Sequence, residues 1–254
     1  MSGAVQAVLF DLDGTLADTE AITAAALRRA WARAGQVGPA PVERFLAMSG
    51  QPLETILAHL GLPERLAELY RQEASALAGR ARLFDGAQMW LSMLRARHVP
   101  VGVITGKERA RTTVLLKQLG VDDLISAVVT PSDSPAPKPA PDGVLWLCDQ
   151  FRVDVRRTVL VGDSVADMQA GQAAGAHTVA VLWGTGRREV LAAHRPWRIV
   201  EQPAQLTVLL DDLTAENPAA AGLSGAAQSA PPEPAWHVAP LGAVHPNYQE
   251  MWHG

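Results

Sequence analysis

The sequence has little cysteine, little lysine and no long apolar run, and each shortage excludes a class of protein. Cys148 is the single cysteine in 254 residues, so no intramolecular disulfide can form and packing must hold the fold. The apolar run near the N-terminus covers only Ala7 to Phe10, which is too short for a secretory signal peptide. No stretch approaches the roughly 20 apolar residues of a membrane-spanning helix. We therefore expect a cytoplasmic protein without a membrane segment.

Basic residues are fewer than acidic ones, and lysine is rare among them. The chain has 22 Lys and Arg against 26 Asp and Glu, and the net charge of -4 argues against a nucleic-acid partner. Lys107, Lys117 and Lys138 are the only lysines, so any lysine that a reaction requires is easy to locate. The 48% hydrophobic content is that of an ordinary globular protein with a sizeable core.

The first third of the chain predicts one buried strand followed by helices alone. Residues 5–10 form an apolar run typical of a strand that is covered on both faces. Asp18 and Thr19 offer an N-cap for a helix that should end at Gly35. Three amphipathic segments follow with no strand between them, at Val42–Met48, Pro52–Leu60 and Glu64–Leu77. This stretch is predicted to be an all-helical insertion.

After the helical stretch, strands and helices alternate, which predicts a parallel sheet with helices on both faces. The predicted strands are Pro100–Ile104, Ile125–Val129, Thr158–Val161, Thr178–Leu182 and Trp197–Val200, and the helices are Gly86–Arg97, Lys107–Leu119, Asp142–Phe151, Val165–Ala174 and Ala204–Leu213. We assign residues 1–17 and 83–216 to an α/β core and residues 18–82 to a helical cap. Residues 217–254, rich in Ala, Gly, Pro and Ser, are predicted to be a disordered tail.

Polar residues collect where the predicted strands end, which is where open parallel sheets bind their ligands. Asp11 and Asp13 follow the first strand, and their i, i+2 spacing on extended backbone points both side chains the same way. Other strand ends contribute Thr105, Gly106, Lys138, Asp163 and Asp167. We expect these residues to meet in one site.

Four short segments resemble, in their order and positions, the motifs of the haloacid-dehalogenase-like superfamily. They are Asp11–Thr15 (DLDGT), Ile104–Lys107 (ITGK), Lys138–Asp142 (KPAPD) and Val161–Asp167 (VGDSVAD). With a helical cap, the chain is most similar to the branch of phosphoglycolate phosphatases and beta-phosphoglucomutases. The resemblance implies a Rossmann-like three-layer α/β core with a parallel sheet, and a small all-helical cap domain inserted after the first strand.

The same resemblance implies a role for each motif residue. Asp11 would be the nucleophile that forms an aspartyl-phosphate, and Asp13 would protonate the leaving group, activate water and ligate the metal through its backbone carbonyl. Thr105 and the amide of Gly106 would hold phosphoryl oxygens, and Lys138 would neutralise charge. Asp11, Asp13, Asp163 and Asp167 form the implied Mg²⁺ site.

The charges of these residues agree with that assignment. Carboxylates crowded into one pocket repel each other and a phosphate dianion, so the pocket needs cations. Mg²⁺, which prefers oxygen ligands, and Lys138 can supply them. Crowding should also raise the pKa of one carboxyl group enough for it to act as an acid, and we predict that this group is Asp13.

Three functions remain open within this fold. Asp13 favours phosphoryl transfer over dehalogenation, and the absence of lysine between Asp18 and Phe84 argues against phosphonate cleavage. We expect a magnesium-dependent phosphatase of small phosphomonoesters, similar to phosphoglycolate phosphatase. The alternatives are a hexose-phosphate mutase, although many mutases carry Val in place of Thr15, and a binding module without catalysis.

Substrate selection is expected to involve the cap. The segment Met48–Leu53 occupies the place where a cap loop reaches the active site in phosphoglycolate-phosphatase-like enzymes, and Gly50 would permit a close approach to the ligand. Arg44 could pair with an anionic group of the substrate. The expected partner is a small-molecule phosphate ester, with no nucleic acid and no membrane, and the protein should be a monomer or homodimer.

Overall fold

The computed structural model describes residues 4–215. The predicted disordered tail, residues 217–254, lies outside the described residues. Within residues 4–215 the strands are β1 (Ala7–Phe10), β2 (Ala17–Asp18), β3 (Arg82–Leu83), β4 (Val101–Ile104), β5 (Ala127–Val129), β6 (Thr158–Gly162), β7 (His177–Val181) and β8 (Arg198–Val200). The α-helices are α1 (Glu20–Arg33), α2 (Val42–Leu46), α3 (Leu53–His59), α4 (Arg65–Leu77), α5 (Ala87–Ala96), α6 (Arg109–Leu119), α7 (Asp142–Phe151), α8 (Val165–Ala174), α9 (Arg188–Ala193) and α10 (Pro203–Thr214).

Six of the strands form one parallel sheet in the order β5, β4, β1, β6, β7, β8. The first strand lies between β4 and β6, so Val8 pairs with both Val101 and Val159. This arrangement confirms the predicted α/β fold.

The alternation of side chains along β1 divides the interior of the core into two layers. Leu9 packs on one face with Leu147 and Leu160, and Phe10 belongs to the cluster that contains Trp90 on the opposite face. Every residue of β1 is buried. Because helices cover both faces of the sheet, β1 reads as a continuous apolar run.

The cap consists of helices α1 to α4, which enclose an apolar cluster of their own. Its buried members include Leu27, Phe45, Leu66 and Tyr70. The antiparallel pair β2 and β3 joins the cap to the core, with Ala17 opposite Leu83. An all-helical cap after the first strand is thus confirmed, while its exact boundaries at residues 18 and 82 stay a prediction.

The structure corrects the sequence analysis at the start of the cap. Asp18 was expected to help cap the first helix, but it is an exposed residue of β2. Thr19 occupies the N-cap position of α1 and makes no capping hydrogen bond with its side chain. The sequence analysis also missed the short helix α9. In the part of the chain that the structure describes, no helix combines the length and apolarity needed to span a membrane.

Candidate active site

The candidate site lies where the carboxyl ends of β1, β4 and β6 meet at one edge of the sheet. The backbone amide of Asp11 continues the pairing of its strand by donating to the Val161 carbonyl at 2.9 Å. The amide of Thr105 does the same with the Val129 carbonyl at 3.0 Å. The side chains of Asp11, Thr105 and Asp163 are buried at these strand ends. The sheet therefore brings together residues that are far apart in the chain.

Lys138 is the buried cation of the site. Its ammonium group donates to Asp11 Oδ1 at 2.7 Å, to Asp167 Oδ1 at 2.6 Å and to the Ile104 carbonyl at 2.9 Å. Burial lowers the pKa of Lys138, but the charges of Asp11 and Asp167 outweigh burial and raise the pKa above its usual value. Lys138 is therefore positively charged at neutral pH. The Lys138–Pro139 peptide bond is cis.

Asp11 has one oxygen engaged and one oxygen free. Its Oδ1 accepts from Lys138, whereas Oδ2 is buried and has no hydrogen-bond partner among the described residues. Burial raises the pKa of Asp11 well above its usual value, and the nearby charges of Asp167 and Asp163 raise it further, against the lowering effect of Lys138. An unpaired buried carboxylate oxygen is costly, so the site calls for a cationic or electrophilic ligand at this atom.

Asp163 is held by two threonines that sequence analysis did not assign to the site. Thr15 Oγ1 donates to Asp163 Oδ1 at 3.1 Å. The backbone amide and the hydroxyl of Thr185 donate to Asp163 Oδ2 at 2.8 and 3.0 Å. Burial, followed by the charge of Asp167, raises the pKa of Asp163 to about 6. Thr15 lay inside a recognised motif, and Thr185 belongs to the glycine-containing segment Trp183–Gly186 after β7, to which the sequence analysis gave no role in the site.

Asp167 takes part both in the N-terminal cap of helix α8 and in the buried charge cluster of the site. Its Oδ2 accepts from the amide and hydroxyl of Ser164 at 3.0 and 2.6 Å, which forms a capping box at the start of α8. Its Oδ1 accepts from Lys138. The helix terminus therefore fixes the orientation of a carboxylate that faces the site.

The donor set of the site fits a hard divalent cation. One carboxylate oxygen from each of Asp11, Asp163 and Asp167 lies within 4.8 Å of the others, and all three side chains are buried. Oxygen ligands suit Mg²⁺, so these three buried carboxylates are a donor set that could hold this ion. The side chain of Asp13 is not part of this group.

Asp13 lies at the outer side of the site and has partners of its own. Its Oδ1 accepts from the Thr19 hydroxyl at 2.6 Å and lies 3.1 Å from the Lys107 ammonium. Burial raises the pKa of Asp13, but Lys107 and the Thr19 hydrogen bond outweigh it, so the net pKa is lowered. The expectation that crowding raises the pKa of Asp13 is therefore wrong. Among the crowded carboxyl groups, the raised pKa values belong to Asp11 and Asp163.

The cap loop at residues 48–52 touches the core at the mouth of the site. A Cβ atom on Gly50 would lie 2.7 Å from Ser164 Oγ and 3.7 Å from Lys138 Nζ. A Cβ atom on Gly106 would collide with the Gln51 carbonyl oxygen. The two loops approach this closely because both positions are glycine. Gly50 therefore lies beside the site, and its part in substrate binding stays a prediction.

Cap and core together line a cleft that is partly open to solvent. The core side includes Asp11, Asp13, Thr105, Gly106, Lys107, Glu108 and Arg111, and the cap side includes Thr23, Phe45, Ser49, Gly50, Gln51, Leu53, Ile56 and Tyr70. Arg44, predicted to bind substrate, is exposed and does not line this cleft. The arginine that does is Arg111, which sequence analysis missed although it follows Lys107 at helical spacing.

Comparison with known proteins identifies relatives of this architecture. The sequence model of the family described as haloacid dehalogenase-like hydrolase matches residues 8–181. The chain is 30% identical over 203 residues to a phosphoglycolate phosphatase of Yersinia pestis, covering 76% of this chain and 88% of that protein. It is also 30% identical over 221 residues to an N-acetylmuramic acid 6-phosphate phosphatase of Pseudomonas aeruginosa, covering 82% and 95%.

Solved structures agree with these sequence relatives. A hydrolase from Pseudomonas syringae superimposes with a TM-score of 0.74 at 26% identity, covering 82% of this chain and 98% of that chain. The match covers a larger share of this chain than the residues outside the cap contain, so it extends into the cap.

Proposed function

The chain belongs to the haloacid dehalogenase-like hydrolase family, and we propose that it is a Mg²⁺-dependent phosphatase that uses Asp11 as its nucleophile. One observation carries the proposal. The buried carboxylate of Asp11 has one oxygen on Lys138 and the other without a hydrogen-bond partner among the described residues, at the mouth of a cleft. A carboxylate held in this way can reach an electrophile without first breaking a hydrogen bond at its free oxygen.

The chemistry proceeds in two displacement steps on phosphorus. In the first, an Asp11 oxygen bonds to phosphorus while the bond between phosphorus and the ester oxygen breaks, which leaves an aspartyl-phosphate. In the second, water attacks the phosphorus and the Asp11–phosphate bond breaks, which restores the carboxylate. Lys138 neutralises charge on Asp11 and the phosphoryl group, and Thr105 with the Gly106 amide holds phosphoryl oxygens. A Mg²⁺ ion bound by Asp11, Asp163 and Asp167, with the carbonyl of Asp13, would supply further charge neutralisation.

Asp13 is proposed to pass the proton in both steps. It donates the proton to the departing ester oxygen and later takes one from the attacking water. Lys107 and Thr19 hold Asp13 ionised in the arrangement described. A phosphate dianion close to Asp13 raises the pKa of this carboxyl group, because like charges disfavour ionisation. Arrival of the substrate is therefore what makes Asp13 a usable acid.

The proposed substrates are small phosphomonoesters, as for the phosphoglycolate and N-acetylmuramic acid 6-phosphate phosphatases that the chain resembles. Residues of the core are placed to hold the phosphate, while the cap supplies Phe45, Leu53, Ile56 and Tyr70 to the rest of the cleft. The organic part of the ester would lie against these cap residues. Gly50 would contribute by keeping the cap loop close to the phosphate site.

Release of inorganic phosphate from a panel of small phosphate esters tests the proposal. Hydrolysis of at least one ester is expected with Mg²⁺, and chelation of the metal should stop it. The Asp11→Asn variant serves as the control for contaminating phosphatase. Isomerisation of a hexose phosphate without phosphate release would instead support the mutase alternative. If neither reaction occurs with Mg²⁺ present, the binding-module alternative replaces the enzyme assignment.

Two expectations about the protein's surroundings stay predictions. The cytoplasmic location was inferred from composition and the shortage of cysteine. The oligomeric state, a monomer or a homodimer, is the second.

A further inference from the structure

Two consecutive cap residues contact the core beside the cleft. Arg71 Nε donates to Glu108 Oε1 at 2.6 Å, and Arg71 also bonds to Glu54 within the cap. The guanidinium of Arg111 lies over the ring of the neighbouring residue Tyr70, 5.5 Å from the ring centroid. Within residues 4–215, the Arg71–Glu108 pair is the only ion pair that joins cap and core.

The two core partners are themselves connected. Arg111 NH1 donates to Glu108 Oε2 at 3.2 Å, so the two Glu108 oxygens serve different arginines. We call Tyr70, Arg71, Glu108 and Arg111 the cap–core latch. Three of these side chains line the cleft, whereas Arg71 does not. Arg71 can therefore influence the cleft only through its partners.

The charges of the latch persist over the working pH range. Partial burial raises the pKa of Glu108, but the hydrogen bond from Arg71 and the charge of Arg111 outweigh it and lower the net value. The pKa of Arg71 is raised by Glu108 and Glu54 despite its partial burial. Side chains of Arg71 and Glu108 are 29% and 30% exposed, which leaves them partly screened by solvent.

We propose that Arg71 and Glu108 are positioning residues that hold the cap closed over the organic part of the substrate and thereby help determine which esters are accepted. This inference rests on the proposed phosphatase function. The residues proposed to hold the phosphate, Thr105, Gly106 and Lys138, belong to the core, so we expect the smallest substrates to need little from the cap. A larger organic group would lie against Phe45 and Tyr70, whose ring centroids are 5.3 Å apart. Its binding would therefore depend on keeping these two cap residues over the cleft.

Kinetics of Arg71→Met on two phosphate substrates, acetyl phosphate and p-nitrophenyl phosphate, test the inference. Their leaving groups, acetate and p-nitrophenolate, need no proton, so the acid role of Asp13 does not affect kcat/KM, which reports the first displacement. We expect kcat/KM for p-nitrophenyl phosphate to fall about fivefold, mainly through KM, with acetyl phosphate changed by less than about twofold. Arg71→Lys keeps the positive charge, so its kcat/KM for p-nitrophenyl phosphate should fall less than that of Arg71→Met.

Arg33→Met is the matched control. Arg33 pairs with Glu73 inside the cap at 2.7 Å and does not reach the core, so this variant loses a similar ion pair without opening the latch. Adding Glu108→Gln to Arg71→Met should cost no more than Glu108→Gln alone, because the two residues act through one contact. Equal losses on both substrates, additive losses in the double variant, or an equal loss in Arg33→Met would each overturn the inference.

Hydrogen–deuterium exchange provides a readout that does not depend on turnover. Amides of the cap loop at residues 49–51 should exchange faster in Arg71→Met than in the wild type or in Arg33→Met. Thermal melts should show that all three proteins are folded at the temperature of the exchange experiment. Unchanged exchange would count against the latch. If the wild type hydrolyses neither of these substrates nor any ester of the panel, the phosphatase proposal fails, while exchange still decides whether Arg71 holds the cap.

Discussion

The hydroxyl of Thr19 donates a 2.6 Å hydrogen bond to Asp13 Oδ1, which connects the first residue before helix α1 of the cap to the proposed proton donor of the core. Because Thr19 directly follows β2, a movement of the cap about this strand displaces the hydroxyl from Asp13. Cap position and the environment of Asp13 are thus linked through one contact.

Asp13→Ala should slow the hydrolysis of alkyl phosphates far more than that of p-nitrophenyl phosphate. General acid catalysis is typically worth roughly 10²–10⁴-fold and matters least for a leaving group that needs no proton. The difference is measured in kcat/KM for the two esters, because kcat/KM reports the first displacement, whereas kcat also includes the attack of water that Asp13 assists for every substrate. Asp18→Ala, at an exposed position of β2, is the control and should behave as the wild type. Equal losses on the two substrates would remove Asp13 from the acid role.

Asp11→Asn should reduce phosphate release to below a few per cent of the wild-type rate while the protein stays folded. The amide keeps the shape of the carboxylate but is not a nucleophile. It also removes one of the buried charges that repel each other beside Asp163 and Asp167, so thermal stability should be equal or higher. A variant with substantial activity would show that another group attacks phosphorus.

Thr185→Val should raise the Mg²⁺ concentration needed for half-maximal activity. Thr185 orients Asp163, and removing a group that orients a metal ligand typically costs 10–100-fold in metal affinity or activity. Only the hydroxyl contact is lost, because the backbone contact remains, so the low end of about tenfold is expected. A Mg²⁺ titration of activity measures it.

The matched control for Thr185 is Thr113→Val, whose hydroxyl bonds only to the Arg109 carbonyl of its own helix. It should leave the titration unchanged. An identical metal requirement in Thr185→Val and the wild type would show that Asp163 does not need this hydroxyl.

Gly50→Ala should impair activity far more than Gly38→Ala. Both glycines lie in the cap with similar positive φ, +88° and +82°, so the backbone cost of adding a Cβ atom is comparable. At Gly50 the new atom would meet Ser164 Oγ at 2.7 Å, whereas among the described residues nothing lies within 4 Å of the corresponding position at Gly38. The loop must therefore withdraw from the core only in Gly50→Ala. Activity on the ester panel and thermal melts of both variants separate the effect of the clash with Ser164 from the effect of backbone strain. Equal losses of activity in the two variants would contradict the prediction.

Much of the fold could be predicted because each core strand has a recognisable local sequence pattern. Segments such as Val101–Ile104 are apolar, bounded by turns and separated by helix-length stretches, so their alternation is visible without knowing any contact. The pair β2 and β3 has two residues in each strand and carries no periodic pattern. Its existence depends on two segments more than sixty residues apart in the sequence, as the numbering of Ala17 and Leu83 shows. Asp18 was misassigned for this reason.

The candidate site divides in the same way. Asp11, Lys138 and Asp163 stand in recognisable motifs, and the sequence by itself determined their identity, their order and their positions at strand ends. Only the tertiary structure decided which polar and charged side chains became neighbours. It brings Lys107 next to Asp13, lets Thr185 donate a hydrogen bond to Asp163, and lines the cleft with Arg111 rather than Arg44. The pKa of a carboxyl group depends on burial and on charges within a few ångströms, and these distances are set by elements far apart in the chain. Local pattern could therefore predict the reactive groups, but it could not predict the protonation behaviour of Asp13 or the contact of Arg71 with Glu108.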